Sequence, residues 1–156
     1  LGLFGATPEL DQGLAQWIVA EEGKSRRSIE KALAKNQTGL AMLLEDSEDV
    51  RAITHGDGVN EILVTTDRRL LRVKRGKMNW APIPLDEIAE TSIAARDLGG
   101  GRVRYTLIVD TYTSKQYADG DQRRYLPDHF LMVTYDDPRD ARAVCAVIDL
   151  MVGSSR

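Results

Sequence analysis

The sequence has little of what most active sites are built from. Cys145 is the only cysteine among 156 residues, which excludes an internal disulfide and a zinc site built on cysteines. His55 and His129 are the only histidines, and they lie in different parts of the chain. No apolar run approaches the roughly 18 residues of a membrane span; the longest candidate, 14–20, is interrupted by Gln16. No signal-peptide pattern opens the chain. It begins at Leu1 rather than methionine, as a processed or trimmed piece would. An excess of positive charge is also missing. The formal net charge is −3, unlike the strongly basic domain that general nucleic-acid binding calls for.

What is there matches an ordinary globular protein. Hydrophobic residues make up 42% and charged residues 29%, within the usual range for a folded domain. The length supports a core without staples. A single thiol suits a reducing, cytoplasmic setting. Charge is unevenly spread. Residues 1–50 carry nine acidic and five basic side chains, whereas 68–77 carry six basic and no acidic ones. A local excess of this kind can attract an anion even in an acidic molecule.

Periodicity divides the chain into three parts. In the first 45 residues, Thr7 and Pro8 suggest a helix start. Leu10, Leu14, Trp17 and Ile18 fall on one stripe, and Gly23 is the expected stop. A second helical pattern runs from about Ser25 through Ile29, Leu33, Leu40, Leu43 and Leu44, with NQTG (36–39) as a potential break. The middle reads as short strands and turns: EDVRAITHG (48–56), EILVTT (61–66), RLLRV (69–73) with KRGK as a turn, AETSIAA (89–95), RVRYTLIVDTY (102–112) and HFLMVTY (129–135). In the fifth, Val103, Tyr105, Leu107 and Val109 share one side. Pro82 and Pro84 confine MNWAPIPLDEI (78–88) to an edge or a connection. The last part is again helical. Asp136 or Asp137 is the expected cap, Pro138 the first helical residue, and Gly153 the stop. Ala141, Val144, Cys145, Ile148 and Met151 form its apolar stripe.

Six or seven short strands followed by one amphipathic helix predict an α+β molecule: a small antiparallel β-barrel capped by the C-terminal helix, with N-terminal helices in addition. The words within this order resemble the bacterial pleckstrin-homology-like domain family. LLEDSEDVRAIT (43–54) is similar to the family's opening, a helix end, an acidic break and a first strand. ILVTTDRRLLRV (62–73) is similar to its most recognisable segment, and IPLDEIAETS (83–92) to the strand that follows. The resemblance covers about residues 43–152. It implies a PH-like domain over 46–153 behind a helical extension, 1–45, and a binding scaffold rather than a chemistry, since fold alone does not assign function. PH domains that recognise phosphoinositides use basic residues beside the first hairpin. Here that loop, HGDGVNE (55–61), is acidic.

Several motifs remain. If Leu71 and Val73 point into the barrel, Arg69 lies at its rim, and Arg72 and Lys74 face out, because alternate strand residues face opposite sides. Arg69, Arg72, Lys74, Arg75 and Lys77 are then candidates for an anion or an acidic partner, though a solvated hairpin face explains them more simply. Trp80 either covers the barrel edge or anchors a partner, as exposed tryptophans do at hot spots. GGG (99–101) lacks the context of a phosphate loop and reads as a turn. DGD (119–121) lacks the glutamate of a calcium loop, because position twelve of that frame is Phe130. KSRRSIE (24–30) offers a phosphorylation pattern at Ser28, but Ser25 or Ser28 acting as a helix cap explains it more simply. Cys145 on an apolar stripe behaves as a small hydrophobe.

The expected function is therefore non-catalytic: a module for protein–protein contacts, self-association included. The alternative is peripheral binding of anionic lipid head groups through the hairpin 68–77. No cofactor, metal, nucleic acid or small-molecule substrate is inferred. A deep polar pocket around His55 or His129 would bring a hydrolase or transferase back into question.

Overall fold

A computed structural model describes residues 8–20, 23–117, 123 and 125–155. The Thr7 cap and the DGD segment lie outside them. Helices α1 (Gln12–Ala15) and α2 (Lys24–Leu43) precede β1 (Val50–His55), β2 (Glu61–Thr66), β3 (Arg69–Lys74), β4 (Lys77–Met78) and β5 (Ile83–Pro84). A 3₁₀ turn at Leu85–Glu87 leads to β6 (Ile88–Gly99) and β7 (Arg102–Thr111). Then come β8 (Phe130–Tyr135) and α3 (Pro138–Ser155). One antiparallel sheet has the order β1-β2-β3-β4, with β5 also paired to β3; the other has the order β6-β7-β8.

The α+β class, the antiparallel sheets and the C-terminal helix match the sequence expectation. The closed barrel does not. No strand pair joins the two sheets among the described residues. Two local causes account for this. The connecting strand β5 is two residues long and contains Pro84, which has no N–H to extend a ladder. At the other side, the outer edge of β1 is already occupied. Ile18 forms a parallel bridge with Ile53, through Ile53 N–H to the Trp17 carbonyl and Val19 N–H to the Ile53 carbonyl, both 2.8 Å.

The front helices differ from expectation in the same region. Pro8 is not helical, and α1 begins only at Gln12, where Asp11 accepts from the Leu14 N–H. The stripe ending in Trp17 and Ile18 continues as extended chain along β1. In contrast, α2 runs through NQTG unbroken, because Asn36 and Gly39 dock on neighbouring turns. Asn36 is fully buried. Its amide donates to the carbonyls of Ala32 and Asn60, and its oxygen accepts from the Gly76 N–H. Gly39 lies against that same turn, so that a Cβ there would stand 2.0 Å from the Gly76 carbonyl oxygen. The cap of α2 is Gly23, not Ser25 or Ser28, and α3 continues past Gly153 to Ser155.

Two apolar cores result, one on each face of the first sheet. On one face, Ile29, Leu33 and Leu40 of α2 pack with Ile18, Ile53, Ile62, Val64, Leu71 and Val73. The helices therefore share a core with the sheet. On the other face, Leu63, Leu70 and Ile83 meet Leu107, Val109, Leu131 and Val133 of the second sheet, with Ala141, Val144 and Ile148 of α3. Every residue of β2 is buried. Among the described residues no helix is long and apolar enough to cross a membrane.

Candidate functional site

The hairpin β2–β3 is built as its sequence suggests, and β3 turns into β4 at Arg75 and Gly76. Both have positive φ, 56° and 71°, the combination a two-residue hairpin turn needs to match strand twist. Its faces are the reverse of the sequence expectation. Leu71 and Val73 point to the core beneath α2, and Leu70 points toward the second sheet and α3. Arg72 and Lys74 share the face of Leu70, so Arg72 is drawn between layers instead of facing out.

This placement divides the predicted cations into two groups. Arg69 is engaged internally. Its guanidinium donates twice to the Glu48 carboxylate, at 2.8 and 2.9 Å, and once to the Leu43 carbonyl. The Glu48 side chain is wholly inaccessible and also accepts from the Thr66 hydroxyl at 2.7 Å. Burial alone would raise its pKa. The bonds from Arg69, the Glu45 N–H and Thr66 outweigh this and lower it to about 2. Arg68 is 3.6 Å from Glu45 and donates to the Asp46 carbonyl. Arg72 donates to the Pro127 carbonyl and lies 5.9 Å from the centre of the Trp80 ring. Burial lowers its pKa, while Glu61, Asp128 and Asp57 oppose that shift.

Lys74 is half-buried and stands opposite Glu61 on β2 and Lys77 on β4. Of the predicted cations, only Arg75 and Lys77, at the turn, are exposed. Trp80 is 53% exposed and has φ of 73°, a conformation that bulky residues rarely adopt. The bonds beside it hold it there: Asn79 N–H to the Arg72 carbonyl, the Asn79 amide to Glu61, and Ala81 N–H to Asp128. It neither buries itself at the sheet edge nor stands free, but lies over Arg72.

A cleft of about 450 Å³ opens between the start of α2 and the β1–β2 loop. Lys24, Ser25, Ser28, His55, Glu61 and Asp136 are among its lining residues. This is the pocket near a histidine that would reopen the question of catalysis. His55 Nδ1 faces the Gly56 carbonyl at 3.1 Å, and its ring lies 4.8 Å from that of Tyr135. No serine–histidine hydrogen bond forms among the described residues, whereas an activated hydroxyl nucleophile needs a base within hydrogen-bond reach. Cys145 is half-buried, and burial raises its thiol pKa, the opposite of activation. Among the described residues, no group of three or more His, Cys, Asp or Glu is gathered as a metal would require.

The second sheet carries a feature that the sequence reading missed. β6 extends over 12 residues, from Ile88 to Gly99, well beyond AETSIAA. Its tip and that of β7 project past β8, which pairs only with residues 105–110 of β7. Gly99, Gly100 and Gly101, all with positive φ, form the turn, as GGG implied. No strand pairs with the outer edge of β6 among the described residues. On its outer face Arg96 stands directly opposite Arg104, a cross-strand arrangement that is unfavourable for like charges. The signal was present in the continued alternation of RVRY at 102–105, which needs a partner strand of equal length.

Compared with family models, curated proteins and solved structures, the chain matches none.

Proposed function

We propose that this chain is a non-catalytic PH-like binding module that works through protein contacts, self-association among them, in a cytoplasmic setting. The segments that resemble the PH-like family support the first part: ILVTTDRRLLRV becomes the β2–β3 hairpin, and the final helix lies across both sheets. The observation that carries the second part is the open outer edge of β6. An unpaired edge offers a row of backbone donors and acceptors to another chain, and proteins recognise extended segments by adding a strand in this way. A photo-crosslinking residue at Ser92, on the exposed face of β6, should give discrete protein adducts in cells, whereas one at the exposed Lys31 of α2 should not. Equal adduct formation at both positions, or none at Ser92, would contradict the proposal.

A second reading is anionic lipid binding through the hairpin 68–77. The exposure of Arg75 and Lys77 favours it. Arg68, Arg69 and Arg72 are engaged internally, and each remaining cation contributes about 1 kcal/mol at an anionic surface. Attachment on this basis is weak and lost at physiological salt. Flotation with neutral and anionic liposomes at low and physiological salt separates the two readings.

A further inference from the structure

We infer that the partner of the β6 edge is a second copy of this chain, paired antiparallel about a twofold axis at Ile93. This rests on the binding-module reading and specifies its partner. The argument is one of register. Between Glu90 and Asp97 the pairing of β6 with β7 is regular, so Glu90, Ser92, Ala94 and Arg96 share the outer face, and all four are exposed. Two copies that form one continuous sheet must pair outer-face residues with outer-face residues. A twofold at Ile93 places Glu90 opposite Arg96 of the partner, and Ser92 opposite the partner's Ala94. Moving the axis to Ser92 or Ala94 leaves both charges opposite uncharged residues. Moving it to Glu90 or Arg96 sets like charges against each other. Among these registers the one centred on Ile93 alone is complementary, and it repeats the complementary pair twice.

The charge arrangement of the single chain supports the same conclusion. Arg96 faces Arg104 across the hairpin, and neither has an acidic partner among the described residues. Glu90 has only Lys115, at 3.3 Å, with both side chains 53% exposed. Pairing of two edges gives each Arg96 a carboxylate on its open side. Helix α3 packs against the inner face of β6 and leaves its outer edge uncovered. Its Asp149 and Cys145 side chains reach Thr91 of β6. In the paired sheet the two α3 helices lie on the same face about the same axis.

The test is sedimentation velocity over a concentration series, with charge swaps. The wild-type chain should show a concentration-dependent dimer. Arg96→Glu and Glu90→Arg should each weaken it by about tenfold or more, since two symmetry-related pairs are reversed at once. The double variant Glu90→Arg/Arg96→Glu should regain dimerisation, because each new arginine faces a new glutamate. Misfolding is separated from dissociation by thermal melts of the dilute chain. Arg96→Glu removes the repulsion with Arg104, so its monomer should melt no lower than the wild type. A wild-type chain that is monomeric throughout, single swaps that leave the dimer intact, or a double variant that fails to recover would each overturn the pairing. A monomeric chain that still gives protein adducts at Ser92 would overturn self-pairing alone and leave the binding-module proposal standing. Loss of both would end both.

Discussion

The two sheets of this protein solve the same problem to different extents. The first is covered on both faces, by α1 and α2 on one side and by α3 and the second sheet on the other. Its β1 edge is occupied by residues 17–19. The second sheet is covered on its inner face, while from Ala89 to Gly99 its strand β6 has no strand partner on its outer edge among the described residues and like charges face each other on the outer surface. Natural sheets with long free edges usually blunt or cover them. On the proposal above, the closed sheet serves stability and the open edge serves contact.

The comparison breaks first if the covered sheet is not the source of stability. Leu71→Ala, in the core beneath α2, should cost about 3 to 4 kcal/mol in urea unfolding. Met132→Ala, on the exposed side of the second sheet, should stay within about 0.5 kcal/mol. Similar costs for the two would remove the distinction. Next in size is the buried pair at the rim of the first sheet. Glu48→Gln leaves Arg69 with only the more exposed Glu45, at 3.6 Å, as a charge partner and should cost about 3 kcal/mol.

The pH dependence of that pair has a definite sign. The folded-state pKa of Glu48 is lowered to about 2 from its ordinary 4.5. Its stabilisation is therefore complete above about pH 4.5 and lost as pH falls toward 2, where the folded state also takes up the proton. Acid unfolding of Glu48→Gln should lack this component over that range. An unchanged acid slope would show that the pair does not work this way. Smaller again is Asn36→Ala, which removes the amide tying α2 to two turns. The expected cost is about 2 kcal/mol, with faster hydrogen exchange at Gly76. The smallest effect is Arg75→Glu with Lys77→Glu. Stability should remain within about 0.5 kcal/mol, while any salt-sensitive attachment to anionic liposomes should be abolished. Attachment that survives the double change would exclude the hairpin as its cause.

Much of this arrangement was legible in the sequence. Alternation located β2, β3, β7 and β8, and KRGK located the turn, because period-two patterns and positive-φ turns are local properties. Pro138 located the start of α3 for the same reason. Layer identity was not legible. Alternation shows that Leu71 and Leu70 face opposite ways, but not which neighbour each meets. The contiguous runs Ile62–Leu63–Val64 and Leu70–Leu71 did carry a signal of burial on both faces. They were read as one wall of a barrel because covering helices are separated from them in sequence.

Asn36 and Gly39 looked like helix breakers since both are poor helix formers. Their use becomes apparent only when two distant turns arrive beside them. Arg69 looked available for binding because Glu48, its partner, lies 21 residues earlier. The length of β6 was missed because Arg96, Asp97 and Leu98 do not alternate clearly, and its true end depends on pairing with Arg102–Arg104.

Hydrogen exchange followed strand by strand at low and high protein concentration tests the contrast between the sheets most directly. The expected result is that β2 amides exchange only through global unfolding at both concentrations. The outward amides of β6 should exchange rapidly in the dilute chain and slow as concentration rises. Amides of β6 as protected as those of β2 in the dilute chain, or unaffected by concentration, would contradict an open edge that closes on a second copy.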